Sequence, residues 1–337
     1  MNPVGILSTG MVTGVGLTAS ASCAAIRCGI TGFEETRFMF DGEWLLGCEV
    51  PLEEPWRGRE KQIRMVVAAL GECLAGAGDV PVTDIPLLLC VAEEGRPGRL
   101  SGLDDTMLRE IESRVGIRFH DWSRVFANGR IGGVQALEYA GHLLEEGRRA
   151  CLLAGVDSLL VGATLEAYHK QHRLLTPDNS NGFIPGEGAG AVLMGKPQGD
   201  TQLTCIGVGY GVEPAPLGSE EPSRADGLVQ AFKAALADAG LDFGEVDYRI
   251  TDLSGEQYGF KEAALALTRV LRQRKEEFDI WHPADCVGEV GAAAVPVMLN
   301  VVLAASKKGY APGPRVIGHA SADGQERGAF LLKAGSV

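Results

Sequence analysis

The sequence predicts an α/β protein made of two similar halves. Three observations carry this. Short apolar runs at 87–91, 150–153 and 189–194 alternate with stretches of helical period. Three pairs of segments recur in the same order along the chain. No Pro/Ser-rich linker or low-complexity block separates two independent domains. The halves are drawn at 1–198 and 199–337, joined near Gly199 and forming one compact unit. The stretch 213–223, rich in Pro, Gly and Glu, reads as a surface loop.

In the first repeated pair, LAGAG at 74–78 resembles LADAG at 236–240, each closing a helical stretch before a short acidic loop and an apolar strand. In the second, GRIG at 129–132 opens a helix running to about Leu144, and GEVG at 288–291 opens another running to about Ala305. In the third, GEGAGAVLM at 186–194 resembles GQERGAFLL at 324–332, each a turn feeding a strand. Single matches of Gly and Ala are cheap; three in register are not. If each half is a sheet covered by helices, the Gly-x-x-Gly helices lie buried between the halves, where glycine permits close backbone approach. Their N-termini then face each other across a pocket, and the free N–H groups of helix starts favour a thiolate or an oxyanion.

Composition narrows the functional classes. With 337 residues, 45% of them hydrophobic, the chain can bury a large core. Residues 1–10 show no basic stretch ahead of an apolar run, so they do not read as a secretory signal, and a cytoplasmic protein is expected. The longest apolar stretch, 292–305, includes Pro296 and Asn300 and falls short of the roughly 20 residues of a membrane span, so it reads as a buried helix. Eight cysteines are scattered without a CxxC pair or clustered histidines, which points to reduced thiols and to neither a zinc site nor a disulfide framework. A net charge of −13 opposes nucleic acid and also an acidic acyl carrier protein. Arg57, Arg59, Lys61 and Arg64 form the basic run that would counter this, and it reads as a solvated helix start. GVGYG at 207–211 lacks the spacing and the following acid of a dinucleotide site. No cofactor and no metal are expected.

Several motifs resemble the β-ketoacyl synthase branch of the thiolase-like superfamily over nearly the whole chain. ILSTGMVTGVG at 6–16 is similar to the family's opening strand and turn, RCGITG at 27–32 to its G-x-S-G-I segment, and GCEVP at 47–51 to its next strand. LAGVDS at 153–158 resembles L-A-G-G-x-E/D, and GFIPGEGAGA at 182–191 matches GFVxGEGAGA almost letter for letter. The resemblance implies a thiolase-like fold of two duplicated mixed-sheet halves in a five-layer α-β-α-β-α arrangement. It also implies a dimer joined through paired strands, for which 150–155 is the expected strand.

The same resemblance implies acyl-thioester condensation by one nucleophilic cysteine at a helix N-terminus and two histidines that stabilise the developing charge. Aligned on the family's A-x-G turn, the cysteine position falls at Phe126, ahead of Ala127, Asn128 and Gly129. Asp252 stands where the HGTGT histidine belongs, and Gly288 where the GHxxGAAG histidine belongs. The closing GFGGxN loop is replaced by ADGQER at 322–327. A phenyl ring offers no lone pair for attack, so no standard catalytic residue is expected. Phe126 reads either as packing or as a plug for the thioester space.

A replacement site would draw on Cys286, His319, Asp252 and Glu289, all on loops that the family directs towards its pocket. The plainer reading makes Cys286 and His319 buried packing residues, and it extends to His169, His172 and His282. The leading functional expectation is a catalytically inactive homologue acting as protein-binding adaptor, chaperone or heteromeric partner. It would be a homodimer, with a protein client or secretion effector as possible partner. The alternatives are an active acyltransferase or 3-oxoacyl synthase-type enzyme using the replacement site, and a sensor of acyl chains or small molecules.

Overall fold

A computed structural model describes residues 1–197, 199 and 203–335. The boundary drawn between 198 and 199 falls at Gln198, which lies outside the described residues. The first half runs β1 (Val4–Thr13), α1 (Ala19–Arg27), β2 (Glu34–Phe40), β3 (Glu43–Gly47), α2 (Gly58–Leu74), β4 (Leu87–Cys90), α3 (Asp105–Val115), β5 (Arg124–Phe126), α4 (Gly132–Glu145), β6 (Ala150–Ser158), α5 (Gly162–Lys170) and β7 (Glu187–Gly195). The second runs β8 (Thr204–Val212), α6 (Asp226–Ala239), β9 (Tyr248–Thr251), α7 (Gln257–Val270), β10 (Ile280–Trp281), α8 (Ala284–Val287), α9 (Ala294–Lys307), β11 (Arg315–Ser321) and β12 (Glu326–Lys333).

Strand order exposes the duplication. From the centre outward, one side reads β1-β7-β6-β4-β5 and the other β8-β12-β11-β9-β10. Each side pairs its first three strands antiparallel and its last three parallel. The sides join where β1 meets β8, through Val4↔Cys205 and Gly5↔Thr204. Helices α4 and α9 contact strands of both sides and form the central layer. Outside one sheet, α2 and α3 cover a core containing Met65, Leu70, Met107 and Ile111. Outside the other, α6 and α7 cover one containing Phe232, Ala263 and Ala266. Five layers result, as the thiolase-like resemblance implied.

Sequence character follows layer. Helix α9 is apolar on every face because both sheets flank it; its buried residues include Val295, Met298, Leu299 and Val302. Pro296 sits in the first turn, where a missing N–H leaves no helix bond unmade. Asn300 returns its side-chain amide to Pro296 O at 2.9 Å. Helix α3 lies at the surface and buries only Met107 and Ile111; Asp104 caps its start by accepting from Thr106 N at 2.7 Å, and Gly116 ends it with φ +72. The GEGAGA glycines of β7 allow α9 to approach closely: a Cβ on Gly190 would lie 2.7 Å from Pro296 Cβ.

Three expectations change. The helix-opening glycines that correspond are Gly129 and Gly291, each starting a 3₁₀ turn (Gly129–Ile131 and Gly291–Ala293) ahead of α4 or α9. The sequence comparison had paired 129–132 with 288–291, three residues out of register. Strand β6, expected to form a dimer edge, is interior: β7 occupies one side and β4 the other, so its hydrogen-bonding groups are used. The free edge of that sheet is β5. The basic run at the start of α2 is not solvated throughout, since Lys61 is buried between Glu49 and Glu187. The 213–223 stretch is a surface loop as expected, exposed over 218–222, and it is anchored at its start by the fully buried Glu213, whose carboxylate accepts from Gly227 N at 2.9 Å at the start of α6.

Candidate functional site

The two central helix openings border one cavity of ≈ 270 Å³, whose lining includes Arg96, Arg130, Arg173, Glu289, Gly291 and Asp323. Gly129 and Gly291 both adopt left-handed backbone, φ +55 and +50, which places the next residue at the helix mouth. Behind the first glycine that residue is Arg130; behind the second it is Ala292.

Arg130 is the hub. Its Nη1 donates to Glu289 Oε2 at 3.0 Å and its Nη2 to Asp323 Oδ1 at 2.6 Å, while Nε lies 3.6 Å from Asp252 Oδ2. Arg173 then binds Asp323 through Nη1 at 2.6 Å and grips Glu256 through Nε and Nη2 at 2.8 and 2.7 Å. Its guanidinium lies over the rings of Tyr168 and Phe183, 4.9 and 5.5 Å from their centroids. Arg96 binds Asp157 at 2.7 and 2.8 Å and Glu93 at 2.9 and 2.6 Å. Three guanidiniums thereby serve six carboxylates: Glu93, Asp157, Asp252, Glu256, Glu289 and Asp323.

The second mouth is filled by the chain's own carboxylates. Glu289 Oε1 accepts from Gly291 N at 2.8 Å, and Asp157 Oδ2 accepts from Ala292 N at 2.9 Å. These are the N–H groups that a helix start would offer an incoming oxyanion. Burial pushes Asp157 above the usual carboxylate range despite Arg96. Burial likewise raises Asp252 to about 6, against the pull of Arg130. Asp323 goes the other way: burial opposes it, yet Arg130 and Arg173 hold it well below the usual range. Loop shape comes from Arg327, fully buried on Glu262, which donates to the carbonyls of Ala322, Gly324 and Glu326 and so fixes the turn that presents Asp323.

The residues singled out from sequence scatter. Phe126 ends β5 and does not line the central cavity; its ring meets Tyr139 edge-on, centroids 6.0 Å apart, beside an outer groove. Ala127 and Asn128 separate it from the helix opening at Gly129, so its ring does not fill the central cavity, where Arg130 is the side chain presented from this opening. Asp252, Gly288 and Glu289 line one small cavity of ≈ 10 Å³. Cys286 opens elsewhere, onto a cavity beside Trp281 and Tyr310, and burial pushes its thiol up. His319 lies 2.9 Å from Thr251 Oγ1 through Nε2 and packs edge-on against Phe232, on the outer side of the sheet. Burial drives its pKa down to about 3. The structure thus brings Asp252 and Glu289 together on Arg130, links His319 to Asp252 only through Thr251 Oγ1 (3.4 Å to Asp252 Oδ1), and leaves Cys286 on another cavity.

Sequence reasoning missed Arg130, Arg173, Asp157 and Asp323. The signal for Arg130 was present: matching the two special glycines directly puts it at the helix mouth. Arg173 and Asp323 carry no motif, because their pairing joins positions 150 residues apart. No thiol or imidazole is among the residues lining the central cavity. No group of His, Cys, Asp and Glu among the described residues could hold a metal ion. No described helix is long and apolar enough to cross a membrane.

This architecture is the thiolase-like fold of the ketosynthases. Three solved structures illustrate the likeness. One, a type II polyketide synthase acyl-carrier protein in complex with its ketosynthase bound to the hexaketide, matches with a TM-score of 0.81 and 14% identity, covering 99% of each chain. A ketosynthase in complex with its chain length factor from Xenorhabdus doucetiae gives 0.81 at 14% identity, over 99% of this chain and 98% of that one. A β-ketoacyl synthase from Burkholderia phymatum gives 0.77 at 17% identity over the whole of both. No family model and no curated protein matches the sequence.

Proposed function

We propose that this chain is a ketosynthase-fold protein without condensation chemistry, acting as the binding partner of another protein. The observation that carries the reading is Arg130 at the first helix mouth, satisfied by Glu289, Asp323 and Asp252. Arginine stays protonated and cannot attack a thioester. The opposite mouth already holds carboxylates on its N–H groups, so an oxyanion would meet negative charge instead of free donors. Cys286, His319, Asp252 and Glu289 would need to converge to form a replacement site; the placement of Cys286 on a different cavity from Asp252 and Glu289 supports the non-catalytic reading.

Association through a protein surface fits the free edge of β5, where backbone groups of Arg124–Phe126 pair with β4 on one side only. A homodimer through that edge and a complex with a different chain both use it. The solved structures with a chain length factor or an acyl-carrier protein are complexes of their own kind and support a heteromeric mode here. An acyl carrier protein fits poorly, because the net charge of −13 opposes an acidic partner.

Purification of the tagged chain from its native host tests this. A second, different chain in fixed stoichiometry is expected, alongside no release of CO₂ from malonyl thioesters. A preparation containing this chain alone that turns over such thioesters overturns the proposal.

A further inference from the structure

A second cavity, of ≈ 350 Å³, shares no lining residue with the central one. It lies on the seam between the halves. The end of α1 contributes Ile26 and Arg27, β10 contributes Ile280 and Trp281, α9 contributes Val301, and the chain beyond α9 contributes Tyr310. Trp281 and Tyr310 form a shallow aromatic wall, rings inclined by 30° with centroids 6.3 Å apart. Arg27 stands at the rim with its guanidinium 4.2 Å from the Tyr310 ring centroid. Among the described residues it makes no ion pair with a carboxylate, and its recorded contact is with the Tyr310 ring.

An apolar, aromatic recess of this volume falls in the range of small-molecule sites, about 300–1,000 Å³. For scale, an engineered apolar cavity of roughly 150 Å³ takes up benzene. Flat aromatic walls favour a planar ligand, which gains by offset or edge contacts with Trp281 and Tyr310. An arginine without an anionic partner at the rim selects a carboxylate on that ligand, and its planar fork suits bidentate recognition.

From this geometry we infer that the seam cavity binds a planar aryl carboxylate, ring against Trp281 and Tyr310 and carboxylate on Arg27. The inference is independent of whether the central cavity is catalytic. Asp285, 2.7 Å from His282 Nδ1, also lines the cavity, and its charge repels a ligand carboxylate anywhere but at the Arg27 side.

Titration calorimetry with 2-naphthoate, 2-naphthamide and octanoate tests it. Naphthoate should bind saturably at one site per chain, and at least five-fold tighter than either comparison ligand. Arg27→Gln should weaken naphthoate five- to ten-fold and leave naphthamide unchanged, which separates recognition of charge from ring packing. Val301→Phe, which fills the recess, should abolish binding. Should that variant fail to fold, Trp281→Leu at the wall supplies the same test with a weaker loss. Absence of saturable naphthoate binding, or binding indifferent to Arg27→Gln and to Trp281→Leu, overturns the inference.

Discussion

The two central helix openings share a backbone and differ in charge. At each, a left-handed glycine feeds a 3₁₀ turn and then a helix bridging the halves. Each glycine presses on a carboxylate: a Cβ on Gly129 would stand 2.3 Å from Glu93 Oε2, and one on Gly291 2.1 Å from Asp157 Oδ2. Beyond that the openings diverge. The first carries a cation, Arg130, and the second is capped by the anions Glu289 and Asp157. Duplication therefore preserved the scaffold that aims two helices at one cavity, while the side chains there neutralise one another. On the non-catalytic reading proposed above, a site whose donors and charges are already spent on internal partners has little left to stabilise a transition state.

The asymmetry predicts unequal consequences for mutation. Arg130→Ala strands Glu289, Asp323 and Asp252 with a single remaining cation, Arg173, which reaches only Asp323. Removing one partner of a buried pair typically costs about 3–5 kcal/mol. Arg130 retains 18% side-chain exposure, so about 3 kcal/mol in denaturant unfolding is expected. A loss under about 1 kcal/mol would show that the cluster is not held by this residue.

A buried group without an ionic partner sharpens the contrast. His319, beside Thr251 on the outer face, is neutral in the fold, with its pKa depressed from 6.5 to about 3. Below pH 6.5 the unfolded chain gains a proton that the folded chain refuses, so stability falls with falling pH down to about 3. The slope is roughly 1.4 kcal/mol per pH unit, about 2 kcal/mol by pH 5. Asp252 has the opposite sign. Its folded pKa, raised from 3.8 to about 6, means that stability is lost as pH rises through that window. Stability–pH curves of His319→Gln and Asp252→Asn separate the two: the first should lose the acid-side fall, and the second the decline towards pH 6. Unchanged curves would refute the burial argument for each.

Glu289→Gln should have the smallest effect, about 1 kcal/mol. Arg130 keeps Asp323 and Asp252, and the amide oxygen still accepts from Gly291 N. A cost as large as that of Arg130→Ala would make the second mouth the hub and reverse the comparison.

What could be read from sequence follows the same division. The GEGAGA run announced itself because its requirement is local and steric: small residues at successive strand positions, against which α9 packs. The all-apolar stretch of α9 and the repeated helix ends before β4 and β9 were legible for equally local reasons. Charge pairing was not. Arg173 and Asp323, or Arg96 and Asp157, meet only through tertiary structure, and an arginine in a sequence carries no mark of its partner. Phe126 shows that a place in a motif does not fix where a side chain points. It lies three residues ahead of Gly129, as Gly288 lies ahead of Gly291, and neither lines the central cavity, whereas Arg130 and Gly291 do.

The claim that this cavity is closed to acyl transfer is tested most directly by intact mass after incubation with acyl and malonyl thioesters. Unmodified protein is expected with every thioester, in wild type and in Cys286→Ala alike. A stoichiometric acyl adduct that disappears when a residue lining the central cavity is replaced would contradict it.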